Sequence, residues 1–149
     1  MFAMTIIFLN PTIEGCFYML AFLLVLATIG IIIDSIRFKR LAKERIGLSI
    51  CQFARSFDYR RVDTKIIRAV YEGFQDWARG GVKNFPVMAS DEVAKVYKLV
   101  DEDLDDFAEE LAQKTGRGWE NLEKNPLYGE VITVKDLVLL LNLQPKVIP

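Results

Sequence analysis

Histidine is absent from all 149 residues. That removes the commonest general base and the commonest nitrogen ligand together, which excludes Ser/His and Cys/His catalysis and argues against a zinc site. Cysteine occurs only twice, Cys16 inside a long apolar run and Cys51 well beyond it. A bridge would need the apolar run to meet the polar domain in an oxidising compartment, so both are read as free thiols. Lysine and arginine are missing before Arg37, where the only acids are Glu14 and Asp34. The net charge of −1 therefore conceals a polarity: bases cluster directly after the apolar run and the distal part turns acidic. This is not the uniform basic field that nucleic acid needs, and no nucleic-acid partner is expected. No internal repeat or low-complexity tract is present.

The charge-free run itself reads CFYMLAFLLVLATIGIII, Cys16 to Ile33. As a helix its 18 residues span about 27 Å, close to the hydrocarbon thickness of a bilayer. Phe17 and Tyr18 supply interfacial aromatics at one end, and Asp34 to Arg37 supply a polar flank at the other. A cleaved signal peptide fits less well, since no basic segment precedes the run, Glu14 stands before it and no small-residue cleavage pattern follows. Arg37, Lys39, Arg40, Lys43 and Arg45 place the positive flank after the helix, which predicts a single-pass topology with the N-terminus outside and the following domain cytoplasmic. These bases read first as topology determinants and second as contacts to anionic lipid. Phe2 to Leu9 is apolar but too short to span, and Asn10-Pro11 ends it.

With 52% hydrophobic and 26% charged positions, the remaining chain suffices for one compact core. The reading is all-α, in three stretches: residues 1–36 as N-terminal segment and anchor, 37–62 as a basic juxtamembrane connector, and 63–149 as an acidic helical domain. In the connector, Leu48, Cys51, Phe53 and Phe57 form one apolar face of a short helix. Asp63-Thr64 caps a helix whose Ile66, Ile67, Val70, Phe74 and Trp77 recur at helical spacing up to Gly80-Gly81. A loop through Pro86 leads to Ser90-Asp91-Glu92, read as the cap of a short helix ending at Tyr97. Val100, Leu104, Phe107, Ala108 and Leu111 then mark the buried stripe of a helix stopped by Gly116. Asn125 to Gly129 is a turn by composition, and Thr133 caps a last helix with Val134, Leu137, Val138 and Leu141 inward.

A long helix, a long loop, an acidic helix closed by Gly, a turn and a final helix opening Thr133-Val134-Lys135-Asp136-Leu137-Val138 resemble the layout of acyl carrier proteins. The resemblance covers roughly residues 64–142 and implies a small carrier-like helical bundle, with residues 101–116 as its recognition helix. In that family the helix opens with Asp-Ser-Leu, whose Ser carries a phosphopantetheine arm. Here the nearest pattern is Glu102-Asp103-Leu104, which puts Asp103 where the Ser would stand, and no Ser follows Ser90. The resemblance therefore implies a carrier-like domain lacking the phosphopantetheine serine, with no cofactor.

Asp101, Glu102, Asp103, Asp105, Asp106, Glu109 and Glu110 place seven acids in ten residues. At helical spacing most share the face opposite Leu104, Phe107 and Leu111. Like charges at i, i+4 oppose folding by ~0.2–0.5 kcal/mol per pair, offset in part where acids in the first turn suit the helix dipole. Such a face either solubilises the helix or docks a basic patch on a partner, and the carrier resemblance favours docking. No calcium-hand loop accompanies the acids, so no metal is expected. Carboxylate catalysis requires a pocket, and a convex helix offers none, so the chain is not expected to be an enzyme. The sequence thus leads to a membrane-anchored, non-catalytic module that binds a protein partner through these seven acids. The alternative is an accessory structural subunit of a membrane complex, held in the bilayer by its spanning helix, where Gly15, Ala21, Ala27 and Gly30 offer small residues for packing.

Overall fold

The computed structural model describes residues 13–78 and 82–147, with the side chains of Ile13, Glu14 and Asp101 excepted. The apolar segment Phe2 to Leu9 and the glycine pair Gly80-Gly81 lie outside the described residues. The architecture is all-helical. Among the described residues five α-helices follow one another: α1 Ile13–Glu44, α2 Ile50–Arg55, α3 Thr64–Trp77, α4 Asp101–Thr115 and α5 Val134–Leu143. The described residues also hold a π-helical turn at Val93–Tyr97 and a 3-10 turn at Leu122–Lys124. Among the described residues there are no strands, only isolated bridges at Glu92 with Thr133 and at Arg117 with Lys146.

Helix α1 has two halves of opposite environment. From Cys16 to Ile33 every side chain is exposed, and among the described residues no other element covers it. This is a helix long and apolar enough to cross a membrane. It does not end where its apolar run ends. It continues through the basic stretch to Glu44, and there Phe38 is buried in the domain core while Leu41 and Ala42 pack against it. Burying a phenylalanine contributes roughly 1.5–3 kcal/mol, which fastens the second half of α1 to the domain.

Helices α3, α4 and α5 surround that core. Asp63 caps α3 by accepting from the Lys65 amide at 2.9 Å, and Thr133 caps α5 in a reciprocal box with Asp136. Gly116, at φ 68°, ends α4 in the left-handed region that only glycine enters without strain. Ile66, Ile67, Val70 and Phe74 of α3 are buried, as are Phe107, Ala108 and Leu111 of α4 and Val134, Leu137, Val138 and Leu141 of α5. Rings link these elements: Phe38 meets Phe85 at 5.2 Å, Phe74 meets Tyr97 at 4.4 Å and Phe107 at 4.9 Å. Helix α2 enters the same core through Phe53, which stacks on Tyr71 at 5.2 Å, while Cys51 stays exposed and both cysteines are free.

Several local expectations change. Val100, read as the start of the buried stripe of α4, stands just before the helix and is 49% exposed, because the stripe begins one turn later at Leu104 and Phe107. Ser90 caps nothing: the π turn begins at Val93 after Glu92, and it is Asp91, next in the chain, that is buried. Trp77, expected in the core, is 44% exposed at the end of α3. Its indole nitrogen still has a partner, donating to the Tyr97 carbonyl at 3.0 Å, so the ring can lie at the surface without an unmet donor.

Candidate functional site

The seven acids of α4 do not form one uniform face. Asp103, Asp106 and Glu110 recur on one flank and, with Asp76 of α3, rim a groove of about 390 Å³ between the two helices. Its floor is apolar, built from Gly73, Trp77, Phe107 and Leu111, and Lys114 closes one end. Gly73 sets the closeness of the helices, because a Cβ there would stand 2.9 Å from a Leu111 methyl and 3.2 Å from the Phe107 ring. Asp105 lies elsewhere, on a cleft of about 500 Å³ lined by Leu104, Trp119, Tyr128 and Leu140 among others. Glu109 is half-buried and accepts from the Gln113 amide at 3.2 Å, and Glu110 pairs with Lys114 at 2.6 Å. Glu102 is exposed near the start of the helix, and the side chain of Asp101 lies outside the described residues.

Sequence reasoning placed these acids on a convex helix, yet three of them share a concave site with Asp76 and an exposed indole. The residues it missed were Asp76 and Trp77. No pattern within α3 signals them, because Asp76 and Trp77 join Asp103 and Asp106 only where the two helices meet at Gly73.

Comparison with protein-family models, with curated proteins and with solved structures finds no match to this chain.

A second cluster of charge is structural. Arg45, one residue past α1, forks onto Asp91 with distances of 2.9 and 2.6 Å. Asp91 also accepts from the Tyr97 hydroxyl at 2.8 Å and from the Met88 amide at 3.0 Å. Burial raises the Tyr97 hydroxyl above its usual range, and the adjacent Asp91 carboxylate raises it further, so the phenol stays protonated and donates. Arg37 performs a related task one helical stretch earlier. The π turn ends with the carbonyls of Lys95 and Val96 unmatched, and the Arg37 guanidinium donates to both, at 3.2 and 2.8 Å. Of the five bases after the apolar run, Arg37 and Arg45 thus turn into the domain, while Lys39, Arg40 and Lys43 remain exposed.

At the opposite end, Arg117 is buried and donates to the carbonyls of Asn142 and Gln144, at 3.1 and 2.8 Å, and to Asp63 at 3.3 Å. The Asp63 carboxyl is held below its ordinary range, first by the Lys65 amide it caps and then by Lys146 and Arg117, against an opposing effect of burial.

Proposed function

We propose that this chain is a membrane-anchored, non-catalytic interaction module, with α1 crossing the bilayer and the groove between α3 and α4 receiving a basic segment of a partner protein. The observation that carries the reading is the convergence of Asp76, Asp103, Asp106 and Glu110 around Trp77 and Phe107. An apolar, aromatic floor inside a charged rim is the anatomy of a protein interface, and a rim of one sign selects partners of the other and speeds their encounter. The partner this implies presents lysine or arginine around one or two apolar side chains. The orientation belongs to the same proposal: five bases follow the span and none precedes it, which favours a cytoplasmic domain. So does the likeness to acyl carrier proteins, in which α4 would be the recognition helix and Asp103 would stand where the arm-bearing serine is needed.

The test is purification of the tagged full chain from native membranes in mild detergent, in parallel with the double variant Asp103→Lys/Asp106→Lys. A stoichiometric partner should accompany the first and be lost from the second while helical circular dichroism is unchanged. Equal recovery with both proteins would sink the groove as the binding site.

A second reading is favoured by the bare apolar half of α1, which no other element among the described residues covers. A subunit of a membrane complex would use that surface for helix packing inside the bilayer. Replacing residues 16–33 with a polyleucine span keeps the anchor and the groove. The partner should persist under the first reading and disappear under the second.

A further inference from the structure

We infer that the domain rests end-on against the bilayer that holds α1, with Trp77 and the turn at Lys98 to Val100 at head-group level and the N-terminal cap of α3 and the C-terminal end of α5 facing away. The inference rests on α1 spanning the membrane and goes beyond it, since a tethered domain on a loose connector would have no fixed orientation.

Helix α1 serves as a ruler for depth. The exposed apolar run stops at Ile33, and the next residue, Asp34, meets the Lys98 ammonium at 2.6 Å. Arg37 meets the carbonyls of Lys95 and Val96, Phe38 meets Tyr97 and Phe85, and Arg45 meets Asp91 and the Pro86 carbonyl. The segment 98 to 91 therefore runs antiparallel to α1, and Lys98 sits at the apolar boundary while Asp91 lies about 16 Å below it. Trp77 bonds to the Tyr97 carbonyl, which brings the end of α3 to the upper level. Val100, the residue before α4, is there too by chain continuity. The other end of α3 is tied through Asp63 to Arg117, just past the end of α4, and Arg117 is tied to Asn142 and Gln144 at the end of α5. Helices α3 and α4 thus run antiparallel, each about 21–22 Å long, with one end at the bilayer and the other well clear of it.

The chemistry of the upper end agrees with this placement. Trp77 is 44% and Val100 49% exposed, beside the exposed ammonium groups of Lys95 and Lys98. An indole, an aliphatic side chain and lysines suit a head-group region, and the carboxylates at the same level, Asp76, Glu102 and Asp103, keep the contact on its hydrated side. Lys98 is paired with Asp34 and Lys95 with Glu92, so the contact does not depend on lipid charge. The anchor holds the domain at high effective concentration over the surface, which makes independent affinity unnecessary.

The experiment uses the full chain in phosphatidylcholine nanodiscs, with Cys16 and Cys51 changed to serine. Single spin labels are placed at Val100→Cys and at Leu143→Cys, an exposed residue at the far end. Relaxation by a nickel-chelating head-group lipid should be several-fold stronger at position 100 than at 143, and unchanged when phosphatidylserine is added. Independently, with Trp119→Phe leaving Trp77 as the single tryptophan, head-group quenchers should reduce its emission. Equal relaxation at both sites, or stronger relaxation at 143, overturns the orientation. Extraction of the wild-type chain from membranes by alkaline carbonate would instead overturn the spanning reading on which the orientation rests.

Discussion

Two carboxylate-rich regions of this molecule use charge in opposite ways. Asp91 is a single buried carboxylate that meets Arg45, the Tyr97 hydroxyl and the Met88 amide within 3.0 Å. The acids of α4 crowd one helix, largely exposed, with like charges one turn apart. A buried charge must be matched at each lone pair or the domain loses stability, whereas exposed like charges cost little each and remain available to a partner. The difference separates what holds the domain to α1 from what the domain exposes to solvent.

Breaking the matched region should have the largest effect. Arg45→Met keeps the length of the side chain and its packing on Phe85, but it strands Asp91 in the interior. Removing one member of a buried pair costs about 3–5 kcal/mol. Chemical denaturation of the detergent-solubilised chain, followed by helical circular dichroism, should show a loss of that order. A change below about 1 kcal/mol, the range of surface pairs, would mean that Arg45 and Asp91 behave as an exposed pair and that the junction of α1 with the domain is looser than the geometry describes.

The same comparison shows which features were legible in the sequence. Local rules located the caps at Asp63 and Thr133, the stop at Gly116 and the buried stripes of α3 and α5, because each depends on residues within a turn or two of one another. The role of Asp91 was not legible, since a Ser-Asp-Glu triplet before an apolar stretch has the composition of a cap. Only the return of α1, 46 residues earlier, makes Asp91 a buried partner for Arg45. Trp77 differs for a related reason: its spacing is that of a core residue, but at the end of α3 its ring meets Phe107 edge-on and stays 44% exposed along the groove between the two helices. The groove shared by Asp76, Asp103 and Asp106 required the crossing of two helices at Gly73, which no single-helix pattern contains.

An intermediate effect is expected at Asp63, which is half-buried and combines a cap with an ion pair. Asp63→Ala should destabilise the domain by about 0.5–2 kcal/mol through loss of the cap, with an added contribution from the buried Arg117. The pH dependence has a defined sign. The Asp63 carboxyl is lowered in the folded state, so its stabilisation is complete above the ordinary carboxylate value and is lost as pH falls through the folded one. Thermal unfolding of the wild type and of Asp63→Asn should therefore differ most near neutral pH and converge in acid. A gap that widens on acidification would reverse the assignment.

The smallest effect, and the one that separates the two regions most sharply, belongs to Asp106. It faces Glu102 and Glu110 at i−4 and i+4 on α4, so Asp106→Lys converts two repulsions into attractions. Each conversion is worth only a few tenths of a kcal/mol, and the expected change is a slight stabilisation that fades as added salt screens the charges. A residue present for folding would not improve stability when its charge is reversed. If the acidic groove serves a partner, the same substitution that raises the unfolding midpoint must weaken binding, and the two measurements must move in opposite directions. Destabilisation by Asp106→Lys would instead assign this carboxylate to the structure, alongside Asp91, and remove it from the docking surface.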